Sequence, residues 1–283
     1  MKKYKRPILD NFYNRKITNL YKYRELNEYT ERLIFNRELY FSSPNDFNDP
    51  FDCQSVTIYR GNYQKWKNFF SQSGIPAQTS EQLALQNADR DISEDQLPLS
   101  STAGDINRIF CFSKSNNVIP LWSHYANNHQ GLCVSFKVLN DKGAIGLQLE
   151  DGQLNTGIPI LNNIIIANRV LYGKKMPQPW LRWQDDPSYI YNFFQNKHNS
   201  WKYEEEYRAL TLDSYMIKHK NILIAAKGTI DAIYLGAKIP VIDRNKYLQK
   251  IKIYNSNNIE KIKVYQMIAD KKSYKLKPEQ VTP

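Results

Sequence analysis

Short runs of aromatic and β-branched residues, each closed by turn formers, recur from one end of this chain to the other, and no other feature limits its fold as much. Tyr21-Lys22-Tyr23-Arg24 alternates as a strand does, with every second side chain on one face. From Leu26 to Arg37 the residues Tyr29, Leu33 and Ile34 fall at helical spacing, and Glu38-Leu39-Tyr40-Phe41 returns to strand before Ser42-Ser43-Pro44-Asn45-Asp46 breaks it. The same rhythm predicts strands at Arg108–Ser113, Leu132–Phe136, within Ile164–Tyr172, and at Glu205–Leu210, Ile222–Ala225, Ala232–Leu235 and Ile262–Met267. Helices are expected at Pro120–Ala126, opened by its proline and stopped by Gly131, from about Pro187 to Trp201, and over Arg244–Lys250. Phe47–Asp52 reads as a loop pinned by two buried phenylalanines and displaying Asn48 and Asp49, and Met176–Pro187 as a second loop.

This mixture predicts an α+β fold: a mixed or antiparallel sheet with helices inserted between its strands. No repeat and no linker divides the sequence, so one domain over residues 1–283 is expected, with a polar helical insertion at 61–105 and a basic C-terminal tail at 268–283.

A chain of 283 residues can bury a full core without disulfides, and its three cysteines, Cys53, Cys111 and Cys133, form no C-x-x-C pair. They signal neither a disulfide framework nor a zinc site and point to a reducing, cytoplasmic setting. No apolar run is long enough to span a bilayer, so no membrane association is expected. Lys and Arg exceed Asp and Glu by 39 to 28, a net charge of +11, concentrated toward both ends. That excess would attract phosphates, whether of a nucleic acid or of a nucleotide, although a solvated lysine-rich surface is the more common explanation. The oligomeric state is not legible.

Several chemistries lack their motifs. There is no G-x-x-x-x-G-K-[ST] loop, no G-x-G-x-x-G after a strand, no G-x-S-x-G elbow and no H-E-x-x-H pair, so no resident metal is expected. Three clusters set polar side chains beside aromatic anchors: Tyr21-Lys22-Tyr23-Arg24 with Ser42-Ser43 and Asn48-Asp49; Trp122-Ser123-His124-Tyr125; and Trp201-Lys202-Tyr203-Glu204-Glu205-Glu206-Tyr207-Arg208. His124 is of a residue type suited to proton transfer, although a helix histidine is often inert. On a strand Glu204 and Glu206 would share one face, as a paired-carboxylate site requires, or would form a charged edge with Arg208 as counterion. Arg24 could grip a pyrophosphate or be an ordinary surface cation.

Taken in order, L-Y-K-Y-R (Leu20–Arg24), Y-F-S-S-P-x-x-F-N-D-P-F-D (Tyr40–Asp52), F-C-F-S (Phe110–Ser113), L-W-S-H-Y-A-x-x-H-x-G (Leu121–Gly131) and W-x-x-E-x-E-Y-R (Trp201–Arg208) resemble the bacterial family called domain of unknown function 2971. The resemblance covers roughly Leu20 to Gly236 and implies a place among bacterial anti-phage defence and abortive-infection proteins. More distantly, the order Arg24, Ser42-Ser43, Glu204-x-Glu206 is similar to ADP-ribosyltransferases of the arginine-serine-glutamate type. That similarity implies NAD as substrate. Arg24 would hold its phosphates, Ser42 would order the nicotinamide ribose, Glu206 would stabilise the oxocarbenium-like state, and Glu204 would orient the acceptor. Tyr23, Asn48, Asp49, Trp122 and Tyr125 would line the cofactor, and His124 would stand beside the carboxylates; a histidine-tyrosine-glutamate version would use His124 in a different chain order. The expected activity is an ADP-ribosyltransferase-like effector modifying a nucleic acid or protein. A nuclease or RNA-binding toxin, with His124 and Glu204 or Glu206 as acid and base, and a noncatalytic ligand sensor are the alternatives.

Overall fold

A computed structural model describes residues 17–54, 56–97, 103–141, 144–183, 193–219 and 221–283. They separate into two compact units, one formed by Met1–Ser42, Arg108–Val170 and Ser200–Pro283, the other by Ser43–Asn107 and Leu171–Asn199.

In the first unit the elements run β1 (Asn19–Arg24), α1 (Glu28–Phe35), β2 (Glu38–Tyr40), β3 (Asn107–Ser113), α2 (Ile119–His124), β4 (Leu132–Lys137), β5 (Leu139–Asp141), β6 (Ala144–Gln148), β7 (Ile164–Arg169), β8 (Glu206–Leu212), β9 (Ile222–Ile224), β10 (Ile230–Leu235), α3 (Val241–Asn257), β11 (Lys263–Ala269) and β12 (Leu276–Val281). Ten strands form one sheet in the order β12-β11-β10-β4-β1-β3-β8-β7-β6-β5, and β2 pairs separately with β9. The fold is mixed α+β and mostly antiparallel; β10 and β11, linked through α3, run parallel.

Strand alternation sorts the side chains onto two sheet faces. Leu20, Phe110, Phe112, Leu132, Val134, Phe136, Tyr207 and Ala209 join one apolar cluster with Leu33 and Ile34 of α1 and Tyr247 and Ile251 of α3. Burying each large side chain of this set contributes about 1.5–3 kcal/mol. The intervening residues Tyr23 and Cys133 lie on the other face, packed with Leu121 and Trp122 of α2 and with Met267 and Leu276.

Most strands fall where the sequence predicts, but several expectations are corrected. The segment expected to be helical from Pro187 to Trp201 holds a strand at Asn196–His198 and a 3-10 turn at Asn199–Glu204, while residues 184–192 lie outside the described set. The basic tail ends in β12, paired residue for residue from Val264–Val281 to Ala269–Leu276. Helix α3 outruns the expected Arg244–Lys250 because Tyr247 and Ile251 anchor it and its Lys246 and Lys250 pair with Glu31.

In the second unit the expected polar insertion does form helices, Tyr63–Gln72 and Ala77–Asn87. It also contributes Ile92–Ser93 to a three-stranded sheet with Thr57–Tyr59, which precedes it, and Trp180–Leu181, which lies inside the segment read as a loop. Tyr59, Trp66, Phe70, Ala84, Ile92 and Leu97 give this unit its own core. The Phe47–Asp52 loop displays Asn48 and half-buries Phe47, but otherwise departs from expectation: Phe51 is 66% exposed, whereas Asp49 and Asp52 are buried at 7% and 2%. Asp49 accepts the Phe51 amide at 2.9 Å, and Asp52 pairs with Lys197 at 3.3 Å, so the acids face inward because each has a donor there.

Candidate functional site

The site is built on the polar face of the first unit's sheet. Pro120 opens α2, and Trp122, fully buried, donates its indole N–H to Asn116 O at 2.9 Å. Tyr23 meets the Trp122 ring edge-on at 5.2 Å, donates its hydroxyl to Ser115 O at 2.8 Å and accepts the Val118 amide at 3.1 Å. Burial pushes the Tyr23 phenol far above its ordinary value. These two residues, expected to touch a cofactor, instead form the fixed floor that holds α2 in place.

Past that floor α2 presents His124 and Tyr125, both exposed. The Tyr125 hydroxyl donates to Glu204 Oε1 at 3.1 Å, and the Tyr203 hydroxyl lies 3.5 Å from His124 Nδ1. Trp201 stands 6.1 Å from Tyr203, ring centroid to centroid. The cluster of His124, Tyr125, Tyr203 and Glu204 thus unites two of the segments singled out in the sequence.

Glu204 and Glu206 do not share a strand. Glu204 closes the 3-10 turn, Glu205 adopts a left-handed φ of 44°, and β8 begins only at Glu206. Ser113 Oγ donates to Glu204 O at 2.7 Å and the Lys114 amide to Glu205 O at 3.0 Å, which fixes the turn against β3. Both carboxylates are buried, at 4% exposure each. Their surroundings differ. Glu206 receives Arg208 Nε at 2.7 Å and Nη2 at 3.0 Å, a two-pronged pair with an arginine that is itself fully buried. Burial, and then the Glu206 charge, push the neighbouring Cys111 thiol well up, so it is no nucleophile. On β1, Lys22 donates to Cys111 O at 2.9 Å and sits 4.2 Å over the Phe110 ring; burial pushes its pKa down to about 8.

The other predicted site residues lie elsewhere. Arg24 is half-buried, donates from Nε to Thr30 Oγ1 at 3.4 Å, and has its pKa lowered by burial. Ser42 bridges Ile109 through its backbone, at 3.0 Å and 2.9 Å. Asn48, exposed, and Asp49, buried, belong to the second unit. Among the described residues no group of three His, Cys, Asp or Glu is arranged to hold a metal ion, and no helix is long and apolar enough to cross a membrane.

Two features escaped the sequence reading. Asn127, Asn128 and His129 are left-handed in succession, with φ of 45°, 52° and 70°, and this turn brings His129 Nε2 to 3.2 Å from Ser123 Oγ and stacks its ring on Trp122. Burial, then Lys238, push the His129 pKa down. Gly131 is needed for a close approach as well as a stop, since a Cβ there would meet Arg24 O at 2.3 Å. The H-x-G at the end of the Leu121–Gly131 motif was the available signal for both.

No curated protein and no solved structure matches the chain, and nothing in these comparisons carries a similarity to ADP-ribosyltransferases. Over residues 121–209, the stretch containing most of α2, the 3-10 turn and the start of β8, the chain matches the model of the family described as protein of unknown function (DUF2971).

Proposed function

We propose that the first unit binds NAD against the exposed rings of His124 and Tyr125 and the half-buried ring of Tyr203 and cleaves its glycosidic bond to nicotinamide, transferring ADP-ribose to a nucleic acid or protein acceptor. The observation that carries this reading is the Tyr125–Glu204 hydrogen bond at 3.1 Å, beside a histidine that stands at the surface. In this reading Glu204 takes the role first expected of Glu206, because Glu204 Oε1 accepts the Tyr125 hydroxyl within the cluster that also holds His124 and Tyr203. As the C1′–N bond breaks, its electron pair leaves with nicotinamide and positive charge develops on the ribose. A nearby carboxylate held by a tyrosine hydroxyl stabilises that charge more than it stabilises neutral substrate ribose. Tyrosine and histidine rings offer flat surfaces for a base or nicotinamide, and the acceptor then adds at C1′ and loses its proton.

Nicotinamide release from NAD, measured with cell lysate and RNA present, tests this directly. Release by the wild type, abolished in Glu204→Gln with an unchanged melting temperature, is the expected result. Release that survives Glu204→Gln but disappears in Glu206→Gln returns the role to Glu206. No release from the wild type in any mixture overturns the reading, and RNA cleavage in the same tubes would replace it with a nuclease.

A further inference from the structure

Outside the His124–Glu204 cluster, an open cleft of about 400 Å³ lies where the parallel strands β10 and β11 end, lined by Lys238, Ile239, Arg244, Gln266 and Met267 among others. Gln266 sets its geometry. Its amide nitrogen donates to the carbonyls of Leu235, Gly236 and Met267 at 3.4, 2.8 and 3.3 Å, which turns its oxygen toward Arg244 Nε at 3.2 Å. Held by that one edge, the guanidinium keeps its two terminal NH₂ groups without a protein acceptor among the described residues. Lys238 enters through a backbone bond from its amide to His129 O at 2.9 Å, and neither cation forms an ion pair among the described residues. Asp243, beside Arg244 in the chain, pairs with neither. Two cations line one concavity, and one of them is oriented by an anchored amide, an arrangement that favours an anion.

We infer that this cleft binds the phosphate or pyrophosphate group of a small phosphorylated ligand. Its volume falls in the range of small-molecule sites. The inference stands apart from the NAD reading, since none of the cleft residues belongs to the His124–Glu204 cluster.

Calorimetric titration of the full chain with inorganic pyrophosphate at low ionic strength tests it. The wild type should bind saturably at one site; Arg244→Gln should weaken binding roughly tenfold or more, and Lys238→Gln several-fold. Arg244→Lys, which keeps the charge but loses the planar fork, should fall between. Lys272→Gln, at an exposed lysine outside the cleft, should bind as the wild type does. Competition by ADP-ribose below the pyrophosphate concentration would identify a nucleotide as the source of the group, and its absence a free anion; both keep the site. Absence of saturable binding by the wild type, or an equal loss in Lys272→Gln and Arg244→Gln, overturns the inference in favour of diffuse surface charge. The nicotinamide assay is indifferent to these outcomes, so the two proposals fail separately.

Discussion

The two faces of the ten-stranded sheet solve different problems with the same strands. On β4, Leu132, Val134 and Phe136 turn to a face that is mainly apolar, with Lys22 as its buried exception, and closed by helices, while Cys133 and Ser135 turn to a face that also carries Tyr23, Cys111, Ser113, Glu206 and Arg208. One face supplies hydrophobic stabilisation without chemical options. The other accepts buried charge, which is stabilising only when each group has its partner, and its margin is where His124, Tyr125 and Glu204 meet. Stability and chemistry are thus divided across one layer of backbone.

That division can be broken from either side. Phe136→Ala should lower unfolding free energy by about 3–5 kcal/mol in denaturant titration, since it leaves a cavity in the apolar face. Arg208→Leu should cost a similar ~3–5 kcal/mol by leaving Glu206 buried without its counterion, but here the double change Glu206→Leu with Arg208→Leu should recover most of the loss. No second apolar substitution should rescue Phe136→Ala in this way; if the double change recovers nothing, the two faces do not differ as described.

A smaller effect sharpens the comparison at the margin of the polar face. Tyr125→Phe should cost about 1–2 kcal/mol, because it removes one hydrogen bond to a buried carboxylate, and should reduce any nicotinamide release far more than it reduces the melting temperature. A proportional fall in both would make Tyr125 a packing residue only.

The last test is in pH. Burial pushes the pKa of the Lys22 ammonium down to about 8 against an ordinary 10.5, so between these values the folded state binds fewer protons at this group and its own contribution to stability should rise with pH, while the raised Cys111 and Cys133 thiols contribute with the opposite sign above their ordinary range. Chemical denaturation across that window should show the stability of the wild type rising relative to that of Lys22→Met as pH increases; a difference that falls instead would contradict the burial of this ammonium.

How much of this was legible depends on whether the signal was local. Leu132–Phe136 announced a buried strand by composition alone, and the Leu121–Gly131 and Trp201–Arg208 motifs named the residues that meet at Tyr125 and Glu204. The 3-10 turn before Glu206 was hidden because its W-K-Y-E sequence also alternates as a strand would, and the left-handed Glu205 carries no glycine to mark it. Asp52 could not be seen to turn inward, because its partner Lys197 is remote in sequence. The Ser123–His129 contact depends on three successive left-handed residues, a conformation that Asn favours but does not dictate. Strand β12 was taken for tail because Lys-Pro-Glu-Gln has no apolar rhythm; its backbone ladder with β11 places it in the sheet.

That outermost strand also bears on self-association. A ten-stranded sheet ends in open backbone, where a strand from another molecule can add and begin an aggregate. Here Pro278 has no amide hydrogen to offer a newcomer, and Lys277 and Glu279 keep the rim charged and exposed. The segment that least resembles a strand is therefore suited to stopping the sheet from growing beyond its own chain.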